Sequence, residues 1–245
     1  MKRKKKVVRL KKQAAIPLLI ICISLFIYSS FKIVRWHIEN KNNSTITEKI
    51  KDEVIKIEKD EIIVDEEKLK TISENAFGYI IINNTNIDYP VVQYDDNDYY
   101  LTHNIYDEYS KAGWVFADYR NKLDGTDKNI ILYAHNRLNG SMFGTLKKVK
   151  EKNWYKNKDN LIIKFFIGSQ EYNYQIFSIY ETEPEGFYIN TEFQNNDYNE
   201  FLKTIKERSI IELPSRLNEN SKILTLSTCT SGDDKRLVVH TYLKN

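Results

Sequence analysis

The stretch ILTLSTCTSGDDKRLVVH, residues 223–240, reads as two β-strands joined by a short polar loop. Side chains alternate along a strand, so Thr225, Ser227 and Cys229 share one face while Leu224, Leu226 and Thr228 share the other. The leucines belong in a core. Cys229 therefore sits on the opposite face, at the strand's end, where a side chain can reach substrate. On the second strand Arg236, Val238 and His240 share a face. The arginine follows the cysteine by seven residues, a spacing that suits a short loop between antiparallel neighbours and brings the two to one end of the sheet. A guanidinium beside a thiol lowers its pKa, or stabilises an oxyanion during acyl transfer.

Working back from that hairpin, the chain from Phe77 onward is a series of short β-type runs with turn signals between them. FGYIII and IDYPVVQY flank NNTN. GWVFADYR and NIILYAHN flank NKLDGTDK, NLIIKFFI and YNYQIFSIY flank Gly168-Ser169-Gln170, and KILTLSTC and RLVVHTYL end the chain. About eight strands result, enough for a closed or nearly closed barrel. Two helices interrupt them. Ser141 is placed to cap MFGTLKKVK, and Asp197 with Glu200 forms a capping-box pair ahead of an apolar stripe at Tyr198, Phe201, Leu202 and Ile205.

A cysteine nucleophile needs a proton carrier, usually histidine, and the chain has four. His37 abuts an apolar segment. His103, in a turn-like stretch, reads as structural. His240 lies on the strand face of Arg236 but four residues along it, about 13 Å away. His135, in NIILYAHN, ends an apolar strand as Cys229 does and is the preferred partner. Spacing alone leaves two readings open: a reactive Cys-His pair, or a buried inert thiol and an unrelated histidine.

The N-terminal region is built differently. Its first twelve residues hold eight Lys or Arg, and without them the remaining chain carries a formal charge of −5 against +3 for the whole. The basic balance thus belongs to the tail and gives no argument for nucleic-acid binding. AAIPLLIICISLFIYSSFKIV, residues 14–34, has the length and apolarity of a bilayer span and lacks the small-residue cleavage site of a secretory signal. The positive-inside rule then keeps the tail cytoplasmic and puts the chain beyond the span outside the cell. Cys22 lies within this span, so Cys229 is a lone thiol in an exported domain. The expected organisation is a basic tail (1–13), a signal anchor (14–34), a stalk with one or two helices (35–75) and a catalytic domain (76–245). In the stalk Ile46, Ile50, Val54 and Ile57 follow helical spacing; residues 37–47 fit a helix or a disordered linker equally well.

With these residues in view, the chain resembles the sortases, cysteine transpeptidases of Gram-positive bacteria. TLSTC followed by Arg236, with YAHN upstream, resembles their TLxTC, arginine and histidine pattern. AHNRLNGSMFGTLKK is similar to the H-N-x-x-x-G-S-M-F-x-x-L run of class B members, as is LTHNIYDEYSKAGWVFADYRN to the segment before it. The helix at residues 197–208 resembles the class B insertion.

The resemblance, over about residues 70–245, implies a closed β-barrel with N-terminal helices and a helix inserted between late strands. It implies that Cys229 attacks the threonine carbonyl of an N-P-x-T-(N/G) sorting signal, that His135 carries the proton, and that Arg236 holds substrate or oxyanion. Ser227, Asn104, Tyr133, Tyr188 and Ile189 match substrate-binding positions, and Asp233 or Asp234 is a candidate helper. No metal or organic cofactor is implied. Expected partners are exported surface proteins bearing the signal, peptidoglycan or its lipid-linked precursor as amine acceptor, and the membrane itself; nucleic acid is not among them. The alternatives are a pilin-polymerising sortase and a catalytically silent surface binding module.

Overall fold

The computed structural model describes residues 12–59, 61–194, 196–230 and 234–244. The chain divides into two units, residues 1–43 and 44–245. The first contains most of helix α1 (Lys12–Val54). Apolar side chains are exposed there at the consecutive positions 18–21 and again at 25–28, with Phe26 73% accessible, so this stretch of the helix has no polar face. Such a surface is unfavourable in water and favourable in hydrocarbon. The segment is long and apolar enough to cross a membrane, with a mean hydropathy of 2.1.

The second unit opens with the last turns of α1, where Ile50 and Val54 are fully buried. Residues 37–47 are helical. The helix stops at Val54, short of Ile57, which stands 74% exposed in strand β1 (Ile55–Glu58). Strand β1 pairs antiparallel with β2 (Glu61–Val64), so part of the expected stalk is a hairpin. Helix α2 (Glu66–Ile72) comes next, and the carboxylate of Asp65 caps it by accepting from the Lys68 amide at 3.1 Å.

Eight further strands close into a barrel: β3 (Ala76–Ile82), β4 (Asp88–Gln93), β5 (Phe116–Ala117), β6 (Asn129–Tyr133), β7 (Ile162–Ile167), β8 (Gln170–Thr182), β9 (Ile223–Cys229) and β10 (Arg236–Leu243). Their order around the barrel is β10-β8-β7-β3-β4-β5-β6-β9. This is the architecture expected from the sequence. The four hairpins β3–β4, β5–β6, β7–β8 and β9–β10 are antiparallel as anticipated. Two parallel pairings, β4–β5 and β6–β9, complete the closure.

Leu224, Leu226, Leu237 and Val239 join the main apolar core with Phe143 and Phe165. The opposite face of β8, β9 and β10 is covered separately. Helix α3 (Lys152–Tyr155) is a single turn, and helix α4 (Asp197–Glu207) lies between β8 and β9 in the chain. Tyr198, Phe201, Leu202 and Ile205 of α4 pack on Phe177, Ile223 and Tyr242. At about 1.5–3 kcal/mol for each large side chain buried, this stripe is what seats the helix. Its cap differs from expectation: Asn196 occupies the cap position without a side-chain bond to a backbone amide of the first turn, and Asp197 and Glu200 lie in that turn, where their charges favour the helix dipole. Ser141 likewise caps nothing. Its hydroxyl donates to Asn139 Oδ1 at 2.8 Å, and the segment continues as a turn and a 3₁₀ helix over Leu146–Lys150.

Candidate active site

Two registers bring the sequence candidates together. In the antiparallel β9–β10 pair, Arg236 is directly opposite Cys229. In the parallel β6–β9 pair, Tyr133 is level with Ser227. Two residues further along each chain lie Cys229, the last residue of β9, and His135, just past the end of β6, so both come to the same end of the sheet. Beyond the last ladder pair the chains stay tied, because the Thr228 hydroxyl donates to the Ala134 carbonyl at 2.7 Å. Cys229, His135 and Arg236 all line one cavity of about 520 Å³.

The histidine is held on both sides. Its carbonyl accepts from the Phe143 amide at 3.0 Å, after the loop has closed through an Asn136–Met142 bridge. That return is what the GSMFGTL run does: it buries Met142, Phe143 and Leu146 and fixes the His135 backbone. Nε2 of His135 lies 2.8 Å from the Leu101 carbonyl. A carbonyl can only accept, so Nε2 carries the proton and Nδ1 is left as the ring atom able to exchange one. Leu101 ends a 3₁₀ turn, Tyr99–Leu101, backed by Gly113. Gly113 adopts φ +60°, and a Cβ there would come within 2.5 Å of the Tyr100 carbonyl oxygen and 2.9 Å of that of Leu101.

The cavity walls rest on two buried polar networks. In the first, Asp118 is wholly buried. Its carboxylate takes Arg120 Nε at 2.8 Å and Nη2 at 2.7 Å, the Tyr133 hydroxyl at 2.9 Å and Asn97 Nδ2 at 3.0 Å. Burial alone raises this carboxyl's pKa, but the hydrogen bonds from Arg120 and Tyr133 outweigh it and hold it below the ordinary range. Arg120 also donates to the Ile189 carbonyl at 2.9 Å, which binds the outer wall to the floor.

The second network is directional. The Tyr180 hydroxyl donates to His240 Nε2 (2.9 Å), His240 Nδ1 to Thr225 Oγ1 (2.8 Å), and Thr225 to Asn129 Oδ1 (2.6 Å). Asn129 Nδ2 then donates to the carbonyls of Tyr188 (3.3 Å) and Asn190 (2.9 Å). His240 is fully buried, and that burial, with the nearby Arg208 charge, pushes its pKa down to about 3. It is therefore a neutral link in the wall's support. The Tyr188 hydroxyl shares a 3.2 Å hydrogen bond with Ser227.

Of the sequence candidates, Ser227, Tyr133, Tyr188 and Ile189 line the cavity with the Cys-His-Arg group. Asn104 does not. It is buried, and its Oδ1 accepts from the amides of Tyr106 (2.9 Å) and Glu108 (3.1 Å), so the side chain builds its own turn. Asp233 lies outside the described residues, and Asp234 is exposed. His103 stacks on Tyr99 at 4.1 Å between centroids. Sequence reasoning missed Asn97 and Leu101, which do line the cavity, and the Asp118–Arg120 pair beneath it. The only signal for that pair was an Asp and an Arg two residues apart after a strand, which surface loops also show. Among the described residues no group of three His, Cys, Asp or Glu side chains is placed to hold a metal.

This arrangement can form and break an acyl bond: a thiol, an imidazole with one nitrogen left to exchange a proton, and a guanidinium around a cavity sized for a short peptide. Comparison with known proteins agrees. A sortase-domain family model matches residues 80–244. Sortase B of Listeria monocytogenes is 35% identical over 227 residues, covering 89% of this chain and 90% of its own. The crystal structure of sortase B from B. anthracis in complex with AAEK1 superposes with a TM-score of 0.75 at 30% identity, over 84% of this chain and 98% of that one. A Staphylococcus aureus sortase B–substrate complex gives 0.75 at 30%, over 85% and 99%. The chain belongs to the sortase family, on its class B branch, and is a cysteine transpeptidase.

Proposed function

We propose that this transpeptidase works from the membrane, cleaving an N-P-x-T-(N/G) sorting signal after threonine and joining the upstream protein to a peptidoglycan amine. The observation that carries the reading is the convergence of Cys229, His135 and Arg236 on one cavity. The Cys229 thiol gives its proton to Nδ1 of His135 as the sulfur attacks the threonine carbonyl. The resulting oxyanion is stabilised by Arg236, and the leaving amine takes its proton from His135. A thioacyl enzyme results. An acceptor amine then attacks the same carbon, the C–N bond forms as the C–S bond breaks, and His135 takes the proton that nitrogen loses. Because Nε2 is held by Leu101, Nδ1 is the atom assigned to this exchange. Ser227, Tyr133, Tyr188 and Ile189 bind the peptide N-terminal to the scissile bond. The apolar N-terminal helix serves as anchor, with the basic tail cytoplasmic and the barrel outside.

The test uses the full chain in detergent with a fluorogenic Asn-Pro-X-Thr-Asn peptide, with and without an amine. Wild type is expected to cleave. Cys229→Ala is expected to be inactive, and His135→Ala and Arg236→Ala to lose at least two orders of magnitude in kcat/KM. Undiminished cleavage by Cys229→Ala removes the nucleophile assignment. Absence of both turnover and a thiol-probe adduct would favour a binding module.

A further inference from the structure

A separate cavity of about 480 Å³ opens where the end of helix α2 meets the loop after Leu101, and it shares no lining residue with the active-site cavity. Lys70, Glu74 and Asn75 line one side, Tyr106 and Asp107 the other. The turn built by Asn104 shapes the second side. Its Oδ1 holds the amides of Tyr106 and Glu108, and its carbonyl accepts from the Asp107 amide at 3.0 Å. Tyr106 and Asp107 are left exposed. Behind them the Tyr100 hydroxyl ties the two sides together, accepting from Asn75 Nδ2 and donating to Asp107 Oδ1, each at 2.9 Å. That fixes the cavity's shape and leaves polar groups over. Among the described residues nothing donates to Asn75 Oδ1 or to the second oxygen of Asp107. The Ser73 hydroxyl, in a residue only 7% exposed, has no hydrogen-bond partner there either, although buried hydroxyls are ordinarily paired. The same loop shows aromatic faces to solvent. Tyr106 and Tyr109 are 37% and 69% exposed, and among the described tyrosines of residues 44–245 only Tyr119 also stands exposed.

We infer that this cavity is a saccharide-binding site, taking a neutral pyranose oligosaccharide with a ring seated on Tyr106. The inference stands apart from the acyl-transfer reading. The volume falls within the range of small-molecule sites, about 300–1,000 Å³. The lining chooses among ligand classes. An anion needs unopposed cations, and here one lysine faces two carboxylates. A peptide needs a free strand edge or an apolar groove; the barrel is closed, and only two isoleucines enter this lining. No group of three metal-ligating side chains is present among the described residues. A sugar meets what remains. Its hydroxyls donate to Asn75 Oδ1 and the Asp107 carboxylate and accept from the Lys70 ammonium, while the C–H face of its ring covers the apolar body of Tyr106.

The test titrates the full chain, held in a zwitterionic detergent because a glycoside detergent would compete, with the linear tetramers of N-acetylglucosamine and of glucose. Calorimetry is expected to show saturable binding of at least one, and hydrogen exchange to slow on binding at residues 70–75 and 104–108. Tyr106→Ala is expected to weaken binding at least fivefold and Tyr106→Phe, which keeps the ring, to stay within twofold of wild type. Because Tyr106 is exposed, both variants should melt as wild type does without sugar and should cleave donor peptide at the wild-type rate. Binding of neither tetramer, an equal Kd in Tyr106→Ala, or protection at the active-site cavity instead of these residues overturns the inference. So does protection of these residues by an unrelated tetrapeptide when neither sugar binds.

Discussion

Gly113 shows how one residue far from the reacting atoms governs them. It sits at φ +60° against the carbonyls of Tyr100 and Leu101, and the latter accepts the proton that sets the His135 tautomer. An alanine there takes on left-handed strain of about 1–2 kcal/mol and pushes those oxygens away. Gly113→Ala is expected to lower the melting temperature and, at temperatures where the protein stays folded, to cut the single-turnover acylation rate tenfold or more, since small misplacements are costly. A folded variant with wild-type acylation would show that the Leu101 contact does not matter. Asn104 and Asn97 make a related point. Both are asparagines in one polar loop, and composition does not distinguish them. Only the turn that consumes the Asn104 side chain does so, and that turn is not visible in residue type alone.

Elements are legible where the signal is local. Alternation assigns the faces of β9, turn residues mark four hairpins, and helical spacing picks out the stripe on α4. The parallel pairing of β6 with β9 is not legible, because it joins residues 94 apart and leaves no periodic trace; yet it alone sets His135 level with Cys229. The β1–β2 hairpin escapes for the opposite reason, a helical spacing that runs past the helix's end. What the elements support can be tested through His240. Its folded pKa lies near 3, below the ordinary 6.5. The unfolded chain therefore binds more protons between those values, and stability falls as pH drops from 6.5, by about 1.4 kcal/mol per unit. His240→Gln is expected to be less stable at pH 7 but to show a shallower loss between pH 6.5 and 4.5. It should also raise the KM for donor peptide more than it lowers kcat, because the Tyr188–Asn190 wall loses its support. An unchanged pH slope in chemical denaturation would contradict this.

For the whole molecule, the separation of an exposed apolar helix from a closed barrel is legible from composition: about twenty apolar residues behind a basic tail admit few other readings. The boundary is less legible, since α1 continues to Val54 and its last turns bury Ile50 and Val54 in the second unit. A chain beginning at Ser44 is expected to remain in the supernatant after sedimentation with lipid vesicles, whereas the full chain sediments with them; co-sedimentation of both would place membrane affinity on the barrel unit. The proposed chemistry depends on one covalent bond. Incubated with an Asn-Pro-X-Thr-Asn peptide and acid-quenched, the full chain should gain the mass of the acyl fragment ending in threonine, and fragmentation should locate it on Cys229, with no gain in Cys229→Ala. An adduct on any other residue, or cleavage that persists without one in Cys229→Ala, would contradict it.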